Sequence, residues 1–338
     1  MNHQVADRKL RIGVLGAGHL GRIHMQQWKE VPEAEVVGFF DPHPEKCEAI
    51  TAEFGFRSLG SMQEVFDACE AVDVVTPTTA HFRCASSALS SGRHVFIEKP
   101  LAGSVQEGSQ LVKLTMASGL VAQVGHVERF NPAFVAARGA LRDPMFIETH
   151  RLAQWDPRGT DVSVVLDLMI HDIDIVLNVI KSPLASVEAS GVAVISDTPD
   201  IANARLAFEN GCVANLTASR ISLKKMRKSR FFQRDAYVAV DMLAKEVEIV
   251  RMRPVAGEGD PFAITLDLGD KGRREISFEK PEVVPTNAIR EELRSFARAV
   301  LANTPPEVSV AEGLEALTVA HRVLERVQAA MRAYLHTK

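Results

Sequence analysis

The sequence predicts an α/β chain of two domains: an N-terminal doubly wound parallel sheet, then a second α/β domain built on antiparallel strands. Three observations carry this. The 338 residues exceed one ordinary domain at roughly 100 to 200 residues each. From Leu10 to about Val124, short β-branched runs alternate with longer amphipathic stretches, the signature of parallel βαβ units. After about Gly125 a mixed loop, one helical stretch near residues 163–180 and several strands joined by tight turns take over. The expected division is residues 1–125 and 126–338, with the last helices beginning near 287.

In the first domain the strand candidates are LRIGVLG, EVVGFFD, VDVVTP, RHVFIEK and LVAQVGH. Leu20, Ile23 and Trp28 fall close to helical spacing, as do Val65, Phe66 and Cys69, so both segments are expected as crossover helices. In the second domain Asn210-Gly211 separates IANARLAFE from CVANLTASR, and Gly269-Asp270-Lys271-Gly272 separates FAITLDL from REISFE. Residues that tolerate positive φ at both points predict hairpins, hence an antiparallel sheet. Near the C-terminus Leu293, Phe296, Ala297, Val300 and Leu301 form one helical stripe, and Ser309 with Glu312 make a capping box before the next helix.

Composition excludes several classes. At 46% hydrophobic and 24% charged the chain is globular rather than disordered or fibrous. A formal charge of −4 provides no basic field, so nucleic acid is not an expected partner. Cys47, Cys69, Cys84 and Cys212 have no C-x-x-C spacing and read as reduced thiols. The first apolar run follows Arg8 and Lys9 and is too short for a signal or a membrane span, so a cytoplasmic protein is expected.

Gly16-Ala17-Gly18-His19-Leu20-Gly21 is G-x-G-x-x-G between a strand and a helix, and Asp41 ends the next strand. The first glycine permits the tight turn, the second admits a pyrophosphate to the backbone, and the helix N-terminus offers its free N–H groups. Asp41 is placed to accept the adenosine ribose hydroxyls. A carboxylate there repels a 2′-phosphate and Pro42 offers no cation, which favours NAD over NADP; His43 and Lys46 lie close enough to soften that preference.

Two further groups could carry chemistry. VFIEKP is a strand ending in Glu98-Lys99-Pro100, and ligands in open parallel sheets bind outside the carboxyl ends of the strands, so Lys99 is expected to face the nicotinamide. Its ammonium there could stabilise alkoxide character as hydride leaves carbon, although a surface lysine at a strand end fits the position equally. In VVLDLMIHDIDIVL, Asp167, His171 and Asp174 share a helical face, and Asp172 points elsewhere. A carboxylate beside His171 could fix its tautomer and let it take a hydroxyl proton. A buried, satisfied histidine fits the same residues. A metal-binding His-Asp pair would need further histidines on an all-helical domain, and no metal is expected.

Taken together, GAGHLGRIH, Asp41, TPTTAH, EKPLA, GHVERFNP and DLMIHDID resemble, in order and spacing, the glucose-fructose oxidoreductase / inositol dehydrogenase (Gfo/Idh/MocA) oxidoreductases. The resemblance implies a Rossmann domain followed by an α/β domain with an open, mostly antiparallel sheet, whose exposed face commonly forms a homo-oligomer (dimer or tetramer). It implies catalytic roles for Lys99, Asp167 and His171, and a cofactor site that adds Thr76, Pro77, His81 and Glu98 to the glycine turn. Within the family the likeness is to the nucleotide-sugar branch, the UDP-N-acetylglucosamine 3-dehydrogenases, which oxidise a secondary hydroxyl of the sugar. A free sugar, inositol or another polyol is the alternative substrate; a dinucleotide-binding sensor is the alternative from another class.

Two basic features fit a diphosphate substrate. Arg220, Lys224, Lys225, Arg227, Lys228, Arg230 and Arg234 crowd one stretch of an otherwise acidic chain, though a solvated strand and turn reads the same. Arg129 and Asn131 in VERFNP follow the last parallel strand and are candidate substrate contacts, or else a linker salt bridge and a turn before Pro132.

Overall fold

The computed structural model describes residues 8–156, 162–255 and 264–336. The N-terminal segment read above for targeting signals therefore lies largely outside the described residues, as do Phe262 and Ala263 of one predicted strand.

All five strands predicted for the first domain form. In chain order the elements are β1 (Leu10–Leu15), α1 (His19–Lys29), β2 (Ala34–Phe40), α2 (Pro44–Phe54), α3 (Met62–Ala68), β3 (Ala71–Val74), α4 (Thr78–Ser90), β4 (His94–Glu98), α5 (Val105–Ser118) and β5 (Ala122–Gly125). The strands are parallel in the order β2-β1-β3-β4-β5, so the winding reverses between β1 and β3. Helix α1 buries Gly21, His24, Met25 and Trp28, one stripe at helical spacing. Helix α4 had no strong sequence signal because the face it buries is made of small residues, Cys84, Ala85 and Ala88, around His81 and Leu89. Helix α5 is stopped at both ends: Ser104 accepts the Glu107 amide, and Gly119 takes the left-handed conformation after the last turn.

The second unit opens with α6 (Pro132–Ala137) and β6 (Phe146–Leu152). A π-helical turn, Val165–Met169, leads directly into α7 (Ile170–Val179), the helix expected near 163–180. There follow β7 (Leu184–Val192), β8 (Ile201–Phe208), β9 (Val213–Ser219), β10 (Met226–Phe232), β11 (Ala236–Asp241), β12 (Glu246–Pro254), β13 (Ile264–Asp267) and β14 (Arg273–Glu279). Both predicted hairpins are present, β8–β9 and β13–β14. The nine strands form one open sheet, β13-β14-β12-β11-β10-β6-β9-β8-β7, antiparallel except where β6 pairs with β9. Burial alternates along β6, β9 and β11, so one face of the sheet is core and the other is not.

A buried carboxylate ties the β7–β8 connection. Asp200 Oδ2 accepts the amides of Val194 and Ile195 at 2.7 Å and of Ser196 at 3.1 Å, and Oδ1 accepts the Ser196 hydroxyl. Arg220 Nε lies 3.3 Å away. Burial would raise the Asp200 pKa, but these donors outweigh it and hold it down at about 2.

Two long helices end the chain, α8 (Ala288–Ala302) and α9 (Val310–His336). The expected domain division changes here. The first unit runs to Phe130 and takes up Asn287–Thr318 again, and the second holds Asn131–Thr286 and the chain from Val319 onward. Residues 126–130 and α8 thus belong with the parallel sheet. The apolar stripe of α8 explains this: Phe296 meets Phe96 of β4 edge to face at 5.8 Å, Gln123 of β5 donates to the Glu292 carbonyl, and Arg294 and Arg298 both reach Glu33. The predicted capping box forms as well, with Glu312 N donating to Ser309 Oγ and Ser309 N donating to Glu312 Oε2.

Truncating Phe296 to Ala should cost about 3 to 5 kcal/mol, seen as a lower urea midpoint, because a fully buried ring is lost from the first unit. Asp200 contributes stability above its unfolded pKa of about 3.9, and that contribution disappears as pH falls toward about 2. Urea midpoints of Asp200→Asn should therefore fall less steeply than those of the wild type between pH 5 and pH 3.

Candidate active site

The turn after β1 is built for close backbone approach. Gly16 has φ +110°, and a Cβ there would sit 2.7 Å from the Val75 carbonyl oxygen. Gly21 is similarly closed in, by the Gly16 carbonyl itself. Gly18, in contrast, would place a Cβ in open space, with nothing beyond its own chain neighbours within 4 Å among the described residues. It begins α1 without a side-chain cap, so the first-turn amides are not covered by a side chain of their own N-cap. That is the arrangement a pyrophosphate fits, and it separates the three glycines into two that pack and one that admits a ligand. His19 is exposed and Leu20 half-buried at the same helix start.

Asp41 stands beside this turn. Its Oδ2 accepts the Ala17 amide at 2.8 Å and its Oδ1 the His43 amide at 3.0 Å, which fix the carboxylate just past β2. Lys46 Nζ lies 3.9 Å from Oδ1. Asp41, Pro42, His43, Lys46, Thr76, Pro77 and Arg83 line a cavity of about 590 Å³ on this side of the sheet, large enough for a nucleoside. A dinucleotide therefore fits the residues present.

His81 lies deeper. Its ring spans the Thr76 and Pro100 carbonyl oxygens, each at 2.8 Å, joining the loops that follow β3 and β4. Burial keeps its pKa below the ordinary value. Glu98 ends β4 and is turned inward: Oε2 accepts the Lys99 amide at 2.9 Å, and Oε1 lies 3.1 Å from His24 Nε2. Lys99, the next residue, is half-buried, and its peptide bond to Pro100 is cis.

In the second unit Asp167 falls in the π turn and His171 in the first turn of α7; both are half-buried. Asp174, expected on the same face, is buried. Asp172 accepts a two-pronged contact from Arg151 of β6, Nε to Oδ2 at 3.1 Å and Nη2 to Oδ1 at 2.9 Å. No cluster of three or more His, Cys, Asp or Glu side chains arranged for a metal occurs among the described residues.

The basic stretch resolves into structure. Arg220 is buried at Asp200, Thr198 and the Val162 and Pro199 carbonyls. Lys228 and Arg230 sit directly opposite Asp241 and Glu148 on neighbouring strands and pair with them at 3.0 and 2.7 Å. Lys224, Lys225 and Arg234 are exposed in the turns on either side of β10. Arg129 Nη1 donates to Glu312 at 2.8 Å, and Asn131 caps α6 through Ala133 N while donating to the Met242 carbonyl. A salt bridge and a turn before Pro132 are thus present at these two residues. His24 and Asp73 are not among the site residues expected from the sequence, and their one signal in it is a carboxylate within the apolar strand AVDV.

A family model described as an oxidoreductase family with NAD-binding Rossmann fold matches residues 10–126, and a GFO/IDH/MocA C-terminal domain matches 133–233. UDP-N-acetylglucosamine 3-dehydrogenase of Acidithiobacillus ferrooxidans is 33% identical over 95% of this chain and 98% of its own. Its solved structure superposes with a TM-score of 0.85, covering 95% of this chain and 99% of that one. The scyllo-inositol 2-dehydrogenase (NAD(+)) of Bacillus subtilis is 30% identical over 66% of this chain and 69% of its own. A levoglucosan dehydrogenase solved in complex with NADH shares the fold at 19% identity, with a TM-score of 0.81 over 96% of this chain and 98% of that one. The chain thus belongs to the GFO/IDH/MocA family of oxidoreductases, with an NAD-binding Rossmann domain at its N-terminus.

Proposed function

We propose that this chain is an NAD-dependent dehydrogenase that oxidises the C3 hydroxyl of UDP-N-acetylglucosamine. The observation that carries the substrate is the similarity to the Acidithiobacillus ferrooxidans enzyme along nearly the full length of both chains. The preference for NAD rests on Asp41, whose carboxylate is pinned by two backbone amides beside the nucleoside cavity and would meet a 2′-phosphate with like charge.

Gly18 and the first-turn amides of α1 would hold the pyrophosphate, with Gly16 and Gly21 shaping the turn; Asp41 would hold the adenosine ribose, and Thr76 and Pro77 would wall the cavity. Bound there, the nicotinamide supplies the acceptor for the two electrons that a secondary alcohol loses on becoming a ketone. The chain's own residues supply the proton chemistry. Lys99 donates an N–H to the substrate oxygen and stabilises its developing negative charge. His171 takes the hydroxyl proton, and Asp167, four residues earlier, orients the imidazole and favours its protonated form. A homo-oligomer through the second unit's sheet belongs to the same proposal: Phe278, Met252 and Leu266 are exposed on strands of that sheet. No helix among the described residues is long and apolar enough to cross a membrane.

Similarity to the Bacillus subtilis scyllo-inositol dehydrogenase favours a polyol as the second reading. Purified protein given NAD and UDP-N-acetylglucosamine should form NADH, with NADP at least about tenfold less efficient. Turnover on inositols or free sugars and none on nucleotide sugars would establish the second reading instead. Lys99→Ala and His171→Ala should each lower kcat by about 10² to 10⁴; a Lys99→Ala enzyme with wild-type turnover removes Lys99 from the chemistry.

A further inference from the structure

Inside the first unit a row of polar side chains runs from α1, through the middle of the sheet, to the strand end that carries Lys99. Asp73, fully buried in β3, accepts Trp28 Nε1 at 2.8 Å and faces His24 Nδ1 at 3.0 Å with the same oxygen, Oδ2. His24 is fully buried too, and its other ring nitrogen lies 3.1 Å from Glu98 Oε1. The second oxygen of Glu98 holds the Lys99 amide. Gly125 on the adjoining strand makes room for this carboxylate, since a Cβ there would lie 3.0 Å from Glu98 Cδ and Oε1.

Both nitrogens of the His24 ring lie close to a carboxylate oxygen, Nδ1 in hydrogen-bond geometry with Asp73 and Nε2 at ion-pair distance from Glu98 without a hydrogen bond. A neutral imidazole would leave two buried carboxylates side by side without a cation, whereas an imidazolium hydrogen-bonds Asp73 and sets a positive charge against Glu98. We propose that His24 is a positioning residue for Lys99: clamped as an imidazolium between Asp73 and Glu98, it keeps Glu98 ionised and aimed at the Lys99 amide, fixing where the lysine leaves the strand. The role rests on the reading of Lys99 as the group that polarises the substrate oxygen.

The electrostatics agree. Burial by itself would lower the pKa of His24, but Asp73 and then Glu98 raise it to about 10. Burial would raise that of Glu98, and His24 together with Lys99 brings it below the ordinary carboxylate value. His81, another ionisable ring nearby, feels both Glu98 and Lys99. The raised pKa of His24 means that the ion cluster stabilises the fold fully below about pH 6.5 and loses this contribution as pH rises through about 10.

The test uses the full-length protein. In His24→Gln the charge is lost, so burial should push the Glu98 pKa up. The acid limb of the kcat–pH profile should then move at least about one unit higher, with kcat roughly 10- to 100-fold lower and KM for NAD nearly unchanged. Adding Glu98→Gln removes the titrating group and should return the limb to its wild-type position. A His24→Gln enzyme that is less stable yet keeps the wild-type pH profile would overturn the proposal. A second measurement needs neither turnover nor a folded variant: NMR of the His24 ring in the wild-type protein should report an imidazolium up to at least pH 9. A neutral ring at pH 7.5 would equally overturn it. Failure of every sugar substrate with the wild-type enzyme, together with a charged His24, would instead count against the proposed function.

Discussion

The seating of β1 between β2 and β3 is the constraint on which the first unit depends. The chain reverses its winding there, and the turn after β1 is stitched to both neighbours: Gly16 N donates to the Phe40 carbonyl, and Val75 N donates to the Leu15 carbonyl. Backbone from two strands therefore converges where side chains have no room. Gly16 satisfies that crowding by having no Cβ and by accepting a positive φ. The same crowding carries Asp41 and Thr76 to opposite sides of one turn, so a shift in the pairing of β1 would disturb phosphate, ribose and cavity wall together.

The parallel sheet was legible because its strands are short β-branched runs separated by turn signals, and LRIGVL, VDV and HVFIE all stand where the pattern places them. The hairpins were legible through Asn210-Gly211 and Gly269 to Gly272 for the same local reason. What periodicity does not encode is which sheet a distant helix covers. The stripe on α8 reads identically whether it packs on the second unit or, as it does, against Phe96. In the candidate site the glycine turn, Asp41 and the Lys99 strand end were readable because each is a local motif. The inward turn of Glu98 was not, since it depends on His24, seventy-four positions away in sequence.

The basic stretch shows why charge counted along a chain says little about charge presented to a ligand. Alternation along β10 sends Lys228 and Arg230 to one face, where the strands on either side supply Asp241 and Glu148 in register. Exposed pairs of this kind add little stability each, roughly 0.2 to 1 kcal/mol, but they leave less uncompensated cation than the sequence suggests. Arg220, the residue after β9, is drawn inward by Asp200.

The discontinuity of the first unit has a consequence for biosynthesis. Phe296, Leu293 and Ala297 complete a core begun by Leu10, Ile12 and Phe96, yet they leave the ribosome only after the entire second sheet has been made. At ordinary elongation speeds that delay is on the order of ten seconds. During it the nascent nucleotide-binding half presents an uncovered apolar flank, which makes it a natural client for chaperones that shield such surfaces, and the end of translation is also the moment at which this half can first close.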